Sequence, residues 1–264
     1  MTEASTIRAA VCGAAGKMGA TTCGALHAAD GIDLVGAVDP AHAGRLLSEI
    51  VPGSPDIGVV AAVDDLDAPD VIVDFTHLDA ARSNLEWAAE AGVHAVVGTS
   101  GFGDDDHERL AASFVNSNCL IVPNFAIGAV LMMRFAEMAA PFFDTAEVIE
   151  LHHDNKVDAP SGTAMSTVER MADASDSWAD DPTRTETLPH ARGAEGPAGI
   201  RVHSVRMRGM VAHQEVMLGA EGQTLSIRHD SYDRTSFMPG VVLAVRGVAD
   251  LTGLTVGLDA LLGL

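Results

Sequence analysis

The alternation of short apolar strands with helix-like segments is the feature that most restricts how this chain can fold. Five runs rich in β-branched residues lie in the first half of the 264-residue chain. Segments with helical composition and spacing, 78–91 and 104–117, follow two of them. This pattern predicts a doubly wound α/β sheet, in which crossover helices join parallel strands. The predicted strands are Ile7–Cys12, Asp33–Val38, Val71–Phe75, His94–Gly98 and Cys119–Val122.

After Asn124 the pattern is that of a second, α+β region. Turn residues at 208–209 and 220–222 separate its last strands and predict antiparallel meanders. The polar stretch 173–199 is predicted to be a flexible connection, and a final helix is predicted over 236–249. The other predicted elements are helices at 127–140 and 163–174 and strands at 147–151, 200–207, 213–218 and 224–229.

Composition excludes several classes of partner. The chain has 37 Asp and Glu against 16 Lys and Arg, a formal net charge of -21, so it lacks the clustered cations that bind nucleic acid or an anionic membrane surface. No apolar run reaches the ~18 residues of a membrane span. The polar start, Met1 to Ile7, shows no signal peptide, and the three cysteines are widely spaced. These features predict a cytoplasmic protein.

The glycine-rich loop after the first predicted strand indicates a nucleotide site. Its residues are Gly13, Ala14, Ala15, Gly16, Lys17, Met18 and Gly19. Glycines allow a tight turn there, and free N–H groups at the following helix start can hold a pyrophosphate. Asp39 ends the second strand 20 residues after the last glycine, where a carboxylate can accept hydrogen bonds from the adenosine ribose. The alternative is an ordinary strand-to-helix turn.

The expected cofactor preference follows from two opposing charges. Asp39 disfavours a 2'-phosphate, whereas the Lys17 ammonium can neutralise one, so we expect NADH to be preferred and NADPH to be tolerated. Three further loops follow predicted strands and lie where a doubly wound sheet binds its ligand. They contain Phe75, Gly98, Thr99, Ser100, Val122, Pro123, Asn124 and Phe125. A plain structural turn is the alternative for each loop.

The densest group of polar residues lies within 150–163. The predicted site residues are His152, His153, Lys156, Ser161, Gly162 and Thr163. Two adjacent histidines at a strand end point to different sides, so they can serve two functions. Lys156 adds a cation, and the start of the next helix offers N–H groups to a carboxylate. We predict a site for a small anionic substrate, with His152 or Lys156 as proton donor.

Simpler uses of these residues remain open. One alternative is that Ser161 acts as an N-cap alone, which needs no ligand. A metal site is the other functional use of the histidines, but the spacing is not HExxH and no cysteine is near, so no metal is predicted. Polar residues of the later strands are left outside the predicted site as surface or interface groups: His203, His213, His229, Arg206, Arg208 and Arg234.

Five motifs occur in order over nearly the whole chain: GAAGKMG, VVGTSGF, PNFAIGAVLM, EVIELHHDNKVDAPSGTA and HDSYDRTSFMPGV. In these motifs the chain resembles the dihydrodipicolinate (4-hydroxy-tetrahydrodipicolinate) reductases of lysine and diaminopimelate synthesis. The resemblance implies a Rossmann-like dinucleotide-binding domain, predicted here at 1–125 and 231–264. It also implies an α+β mixed-sheet domain for substrate binding and tetramer assembly, predicted at 126–230.

The resemblance further implies an activity and roles. The reaction is NAD(P)H-dependent reduction of 4-hydroxy-tetrahydrodipicolinate, via dihydrodipicolinate, to tetrahydrodipicolinate, with hydride delivered to ring C4. His152 resembles the family's proton donor or acceptor, and Lys156 its proton donor. His153, Gly162 and Thr163 correspond to substrate contacts, and cofactor contacts correspond to 13–18, 39, 98–100 and 122–125. Ser100 gives GTS in place of the commoner GTT and keeps the hydroxyl.

Two other functions stay open from the sequence. One is a different enzyme on the same scaffold, such as an amino-acid dehydrogenase, and the other is a non-catalytic dinucleotide sensor. A sensor needs neither a proton donor nor a site for carboxylates, so the pair His152 and Lys156 favours the reductase.

The acidity itself suggests adaptation to concentrated salt, because screening within a few ångströms removes self-repulsion. The bases are 14 Arg and only 2 Lys, Lys17 and Lys156, and both lysines fall in predicted sites. This hypothesis predicts that stability and activity rise toward molar KCl, as thermal melting and initial rates at increasing KCl would measure. A protein indifferent to salt would favour a coding bias toward Arg and Asp instead.

Overall fold

A computed structural model of the protein describes residues 6–264, so the prediction for the polar N-terminal residues falls mostly on 1–5, outside the described residues. The strands are β1 (Ile7–Cys12), β2 (Ile32–Val38), β3 (Val59–Val60), β4 (Val71–Asp74), β5 (His94–Val97), β6 (Cys119–Ile121), β7 (Thr145–His152), β8 (Ala194–Glu195), β9 (Arg201–Arg206), β10 (Ala212–Ala220), β11 (Gln223–Ser231) and β12 (Leu254–Val256). The α-helices are α1 (Lys17–His27), α2 (Leu78–Ala91), α3 (Asp104–Ser113), α4 (Ile127–Ala139), α5 (Gly162–Ala174), α6 (Met238–Gly247) and α7 (Asp259–Leu262).

Seven parallel strands form the sheet of the first unit, residues 6–125 with 237–264. Their order is β12-β6-β5-β4-β1-β2-β3, and every pair in it is parallel. The strand order reverses between β1 and β4, so their carboxyl ends flank the crevice where doubly wound sheets bind ligands. The predicted Rossmann-like sheet is confirmed.

The buried faces of this sheet explain why the strands form where the sequence predicts. All four residues of β4 are buried, as expected for a strand covered by helices on both faces. Helix α2 begins and ends at the predicted residues, because Ala81, Leu85 and Ala88 recur at helical spacing and are fully buried. Gly92 ends it in the left-handed conformation, φ +70°. Full burial of a side chain such as Leu85 contributes about 1.5–3 kcal/mol.

Two short edge strands of this sheet are not predicted by the sequence pattern. Strand β12 pairs in parallel with β6 at the edge of the sheet, and β3 pairs with β2 at the other edge. Helix α6 packs so closely on the loop after β6 that a Cβ on Gly240 would lie 2.0 Å from the carbonyl oxygen of Phe125. Only glycine fits at that contact.

The second unit, Ala126–Ser236, contains a five-stranded mixed sheet in the order β11-β10-β7-β9-β8. Strands β10 and β11 are antiparallel, as predicted. The predicted antiparallel pairing of β9 with β10 is wrong. Strand β7 lies between β9 and β10 in the sheet, parallel to β9 and antiparallel to β10. The apolar residues Ala146 and Val148 of β7 are buried, which suits a central position that the turn residues do not reveal.

The two units meet in sequence at 125/126 and at 236/237. The second position differs from the predicted 230/231, which falls inside β11. Within 6–264, no helix is long and apolar enough to cross a membrane. The three cysteines, Cys12, Cys23 and Cys119, are buried and unpaired.

Candidate active site

The glycine loop after β1 has a backbone that larger residues cannot adopt. Gly13 has φ +78°, and a Cβ on it would lie 2.8 Å from the carbonyl oxygen of Phe75. A Cβ on Gly19 would lie 2.0 Å from the carbonyl oxygen of Gly13, so the first turn of α1 packs directly on the loop. These contacts bring backbone close to the carboxyl ends of β1 and β4.

The helix start after this loop suits an anion. Gly16 is the N-cap of α1 and supplies no side-chain cap, and the first turn carries no acidic residue. By contrast, the first turn of α3 contains Asp104, Asp105 and Asp106. In a chain of net charge -21, an uncapped helix N-terminus without carboxylates is a local region of positive potential. Lys17, exposed at its first residue, adds a cation.

Asp39 stands beside the loop at the end of β2. Its Oδ2 accepts a hydrogen bond from Ala15 N at 3.1 Å, and its Oδ1 accepts one from Ala41 N at 3.2 Å. His42 Nδ1 lies 2.9 Å from the same Oδ1, a contact that the sequence analysis missed. A cavity of about 440 Å³ opens here, lined by Gly13, Asp39 and His77 among others. The carboxylate is therefore fixed at the mouth of a cavity next to the glycine loop.

Two aromatic rings stand at the next loops along the sheet. The centroids of Phe75 and Phe125 are 5.6 Å apart and their planes are tilted by 54°. A Cβ on Gly98 would lie 2.1 Å from Cε1 of Phe75 and 2.9 Å from Cε2 of Phe125, so both rings rest on this glycine. Phe125 is buried. The predicted residues Phe75, Gly98 and Phe125 are thus in mutual contact.

A buried carboxylate that the sequence analysis missed organises these loops. Asp74 is fully buried at the end of β4 and accepts hydrogen bonds from Thr99 Oγ1 at 2.7 Å and Asn84 Nδ2 at 2.8 Å. It also accepts from N and Oγ1 of Thr76. The remaining predicted cofactor residues lie in the same loops: Ser100 after β5, and Val122, Pro123 and Asn124 after β6.

In the second unit, the alternation along β7 places Glu150 and His152 on the same face of the strand. His152 Nδ1 lies 2.5 Å from Glu150 Oε2. Glu150 is fully buried, while the His152 side chain keeps 16% of its surface exposed. An ionised carboxylate only accepts hydrogen bonds, so His152 donates from Nδ1, and Nε2 is the ring nitrogen available for proton exchange.

Arg206 holds Glu150 from the neighbouring strand. The parallel register sets Arg206 opposite His152. Its Nη1 and Nη2 donate to the two carboxylate oxygens of Glu150, each at 2.8 Å, a two-bond fork. Nη2 also donates to the carbonyl oxygen of Asp158 at 2.6 Å, and Ser161 N donates to Glu150 Oε1 at 3.2 Å. Arg206, which the sequence analysis left outside the site, therefore contacts its centre.

The remaining predicted residues follow in the loop and at the start of α5. Lys156 Nζ donates to both carboxylate oxygens of Asp158, at 2.7 and 2.8 Å. Ser161 is the N-cap, and its Oγ accepts from Ala164 N at 3.2 Å. The simpler N-cap role is thus present, although a hydroxyl that accepts can also donate its proton. His153 and Gly162 are exposed, and Thr163 is partly buried.

The charges of this cluster shift its pKa values in definite directions. Burial lowers the pKa of His152 and the positive charges of Lys156 and Arg206 lower it further, which outweighs the opposite effect of Glu150. Burial acts to raise the pKa of Glu150, but hydrogen bonds from Arg206, Ser204 and His152 bring it below its ordinary value. The cluster therefore pairs an ionised carboxylate with a partly exposed imidazole.

Comparison with known proteins decides the family. The family model described as "Dihydrodipicolinate reductase, N-terminus" matches residues 7–125, and "Dihydrodipicolinate reductase, C-terminus" matches residues 128–262. The chain belongs to the dihydrodipicolinate reductase family. The family resemblance, the α/β fold class and the reductase activity predicted from the sequence are confirmed.

Individual members of the dihydrodipicolinate reductase family match over their full length. The 4-hydroxy-tetrahydrodipicolinate reductases of Nocardia farcinica and Cutibacterium acnes are 50% and 48% identical, covering 98% of this chain and 100% and 99% of theirs. A structure of dipicolinate-bound dihydrodipicolinate reductase from Paenisporosarcina sp. TG-14 is 40% identical, with TM-score 0.86, covering 97% of this chain and 99% of that one. A Mycobacterium smegmatis amine dehydrogenase, 14% identical with TM-score 0.63, shares the fold alone.

Proposed function

We propose that this reductase converts 4-hydroxy-tetrahydrodipicolinate, via dihydrodipicolinate, to tetrahydrodipicolinate in the diaminopimelate and lysine pathway, with NADH or NADPH as reductant. The observation that carries the proposal is the cluster of His152, Glu150, Arg206 and Lys156 in a full-length relative of reductases acting on this compound. This cluster offers protons and positive charge to a small dicarboxylate in an otherwise acidic protein.

The backbone of the glycine loop and the start of α1 fit a dinucleotide. The space that a Cβ on Gly13 or Gly19 would fill is taken by backbone, so the loop stays narrow beside an uncapped helix start. Gly13 to Met18 would hold the pyrophosphate, and Asp39 would hold the adenosine ribose at the cavity. The 98–100 loop and the 122–125 loop would form the nicotinamide end, and Phe75 would pack on the adenine or diphosphate side. When bound, the reduced nicotinamide supplies the hydride that reaches ring C4.

The second unit would bind the ring and handle its proton. His153, Gly162, Thr163 and the Ser161 hydroxyl would contact the substrate carboxylates at the start of α5, where the helix carries no acidic residue in its first turn. Hydride addition at C4 leaves an electron-rich neighbouring carbon that must take up a proton. Lys156 Nζ or a protonated His152 Nε2 supplies it, and cations on the carboxylates keep the ring oriented.

A coupled assay tests the function directly. The product of the condensing enzyme that joins an aldehyde to pyruvate is mixed with the protein and NADH, and the loss of nicotinamide absorbance is followed. We expect steady turnover that depends on both reactants, inhibited by dipicolinate. NADH binding without turnover would favour the dinucleotide sensor, and turnover with a different imine or keto acid alone would favour another dehydrogenase.

The cofactor preference is predicted to depend on Asp39. Asp39→Asn keeps the shape and an acceptor for Ala41 N but removes the charge that repels a 2'-phosphate. We expect the ratio of kcat/KM for NADH to that for NADPH to fall about tenfold, the scale of one hydrogen bond to a charged group. Steady-state kinetics with both cofactors measures this, and Asp56→Asn, on a separate surface loop, is the control. An unchanged ratio would show that Asp39 does not set the preference.

The same proposal includes assembly and compartment. We propose a homotetramer formed through the second unit, since β11 is an edge strand of its sheet with residues 223–226 exposed. Light scattering after gel filtration would report the mass, and a monomer across the working concentration range would contradict it. Buried, unpaired cysteines support a reducing, cytoplasmic setting.

A further inference from the structure

Glu150 is a fully buried carboxylate whose two oxygens are contacted by several side-chain and backbone groups. His152 Nδ1, both Nη atoms of Arg206 and Ser161 N all contact its two oxygens. Burying a carboxylate costs free energy of folding unless it is paired and hydrogen-bonded, so Glu150 depends on all of these partners. Of these partners, His152 is the one that gives a proton to the substrate in the proposed reaction.

We propose that Glu150, held by Arg206, is a positioning residue of the reductase reaction. Its carboxylate keeps the proton of the His152 imidazole on Nδ1, and thereby makes Nε2 the atom that exchanges a proton with the substrate. This inference rests on the function proposed above for His152.

The geometry supports a directional role. The same oxygen, Oε2, that faces His152 Nδ1 at 2.5 Å also accepts from Arg206 Nη1 at 2.8 Å. The guanidinium therefore keeps the carboxylate ionised and fixes its plane, so the imidazole has one orientation that satisfies Nδ1. An acceptor-only partner on one ring nitrogen selects the tautomer at the other, as in catalytic and metal-binding histidines.

The same guanidinium also contacts the loop that contains Lys156, the second proposed proton donor. Arg206 Nη2 donates to the backbone carbonyl of Asp158, whose side chain contacts Lys156 Nζ. Ser161 N, on the other oxygen of Glu150, fixes the start of α5. The Glu150–Arg206 pair thus connects His152, the loop of Lys156 and the predicted carboxylate site through backbone and side-chain contacts.

The sheet contains a matched control. Glu147, on the same strand, lies 2.5 Å from His203 Nε2 and accepts from Arg192 Nη2 at 2.6 Å. This second Glu–His–Arg group has the same chemistry but is 28% exposed at Glu147 and shares no residue with the site. If a Glu–His–Arg group matters only for holding the sheet together, replacing either glutamate should have similar consequences.

The test is a double-mutant cycle with the intact protein. Glu150→Gln, Glu150→Asp and Glu147→Gln are each made in the wild type and with His152→Ala, and kcat, KM and the dissociation constant of NADH are measured. We expect Glu150→Gln to lower kcat at least about tenfold with NADH affinity within twofold, Glu150→Asp to recover part of kcat, and Glu147→Gln to leave it unchanged. With His152→Ala present, Glu150→Gln should cause no further loss.

Several outcomes overturn the proposal. Full kcat in Glu150→Gln, or losses that multiply with His152→Ala, would show that Glu150 does not act through His152. If His152→Ala itself keeps full kcat, the proposed role of His152 fails as well. The His152→Ala variant therefore distinguishes failure of the proposed function from failure of the positioning role of Glu150. The imidazole nitrogen-15 shifts of the wild type, assigned against His152→Ala, check the tautomer without any Glu150 variant. A proton on Nε2 instead of Nδ1 would reject the proposal.

Discussion

Replacing His152 by Ala is expected to lower kcat by about 10²-fold or more, the usual scale for loss of an acid–base group. The imidazole is held by Glu150 at 2.5 Å and keeps 16% exposure, so its removal takes away the proton-exchanging Nε2 and changes none of the predicted cofactor residues. NADH affinity, measured by fluorescence titration, should therefore stay within twofold. His27→Ala, at the exposed last turn of α1, is the control. Turnover near that of the wild type in His152→Ala would reject the assignment.

Lys156→Ala is expected to show the same loss of kcat as His152→Ala, and Lys156→Arg separates the two roles of the ammonium, charge and proton transfer. Arginine keeps the positive charge beside Asp158 but does not give up a proton near neutral pH. We expect Lys156→Arg to keep dipicolinate binding within a few-fold, measured calorimetrically, while kcat falls about 10²-fold. Equal losses of dipicolinate affinity and kcat would mean that the ammonium binds a carboxylate and transfers no proton.

The sequence predicted those parts of the fold in which a local pattern is strong. Strand β1 and helix α2 have the predicted bounds, because β1 is a short run whose last four residues are all buried, and α2 buries residues at helical spacing. The glycine loop and Asp39 were predicted because their roles depend on spacing after a strand, which is visible in one dimension. Edge strands β3 and β12 have two and three residues, too few for any period to be recognised.

The missed residues owe their roles to contacts distant in sequence. In the sequence, Glu150 looks like an ordinary charged residue of a strand. It is buried because β7 is the central strand of its sheet. Arg206 lies opposite His152 because β9 is parallel to β7, the pairing that the predicted meander excluded. Asp74 likewise becomes important only when the loops after β4 and β5 meet at Thr99. Buried polar networks of this kind are set by topology, which the sequence pattern leaves open.

Replacing Arg206 by Met is expected to lower the free energy of unfolding by about 3–5 kcal/mol, because it leaves the buried Glu150 carboxylate without its paired charge. For a chain of this size the melting temperature should drop by roughly 10 °C. Arg208→Met is the matched control on the neighbouring turn. Its side chain is 93% exposed and makes one surface ion pair with Asp154, so we expect a change within about 0.5 kcal/mol. Urea denaturation followed by circular dichroism measures both.

The pH dependence of this loss identifies its cause. Burial acts to raise the pKa of Glu150, but Arg206 and its other partners lower it below the ordinary value. A carboxylate with a lowered folded pKa adds stability above its unfolded pKa, and this contribution disappears as the pH falls through the folded pKa. In Arg206→Met the carboxyl can instead take up a proton, so the gap to the wild type should narrow from pH 7 to pH ~4.5.

Adding Glu150→Gln to Arg206→Met removes the unpaired charge altogether. The double variant should regain part of the lost stability, because a neutral amide is cheaper to bury than a carboxylate. Its kcat should stay as low as that of Glu150→Gln, because His152 still lacks its ionised partner. Recovery of stability without recovery of kcat separates the structural cost of the pair from its effect on His152. A double variant no more stable than Arg206→Met would show that packing of the Arg206 side chain, and not charge, accounts for the loss.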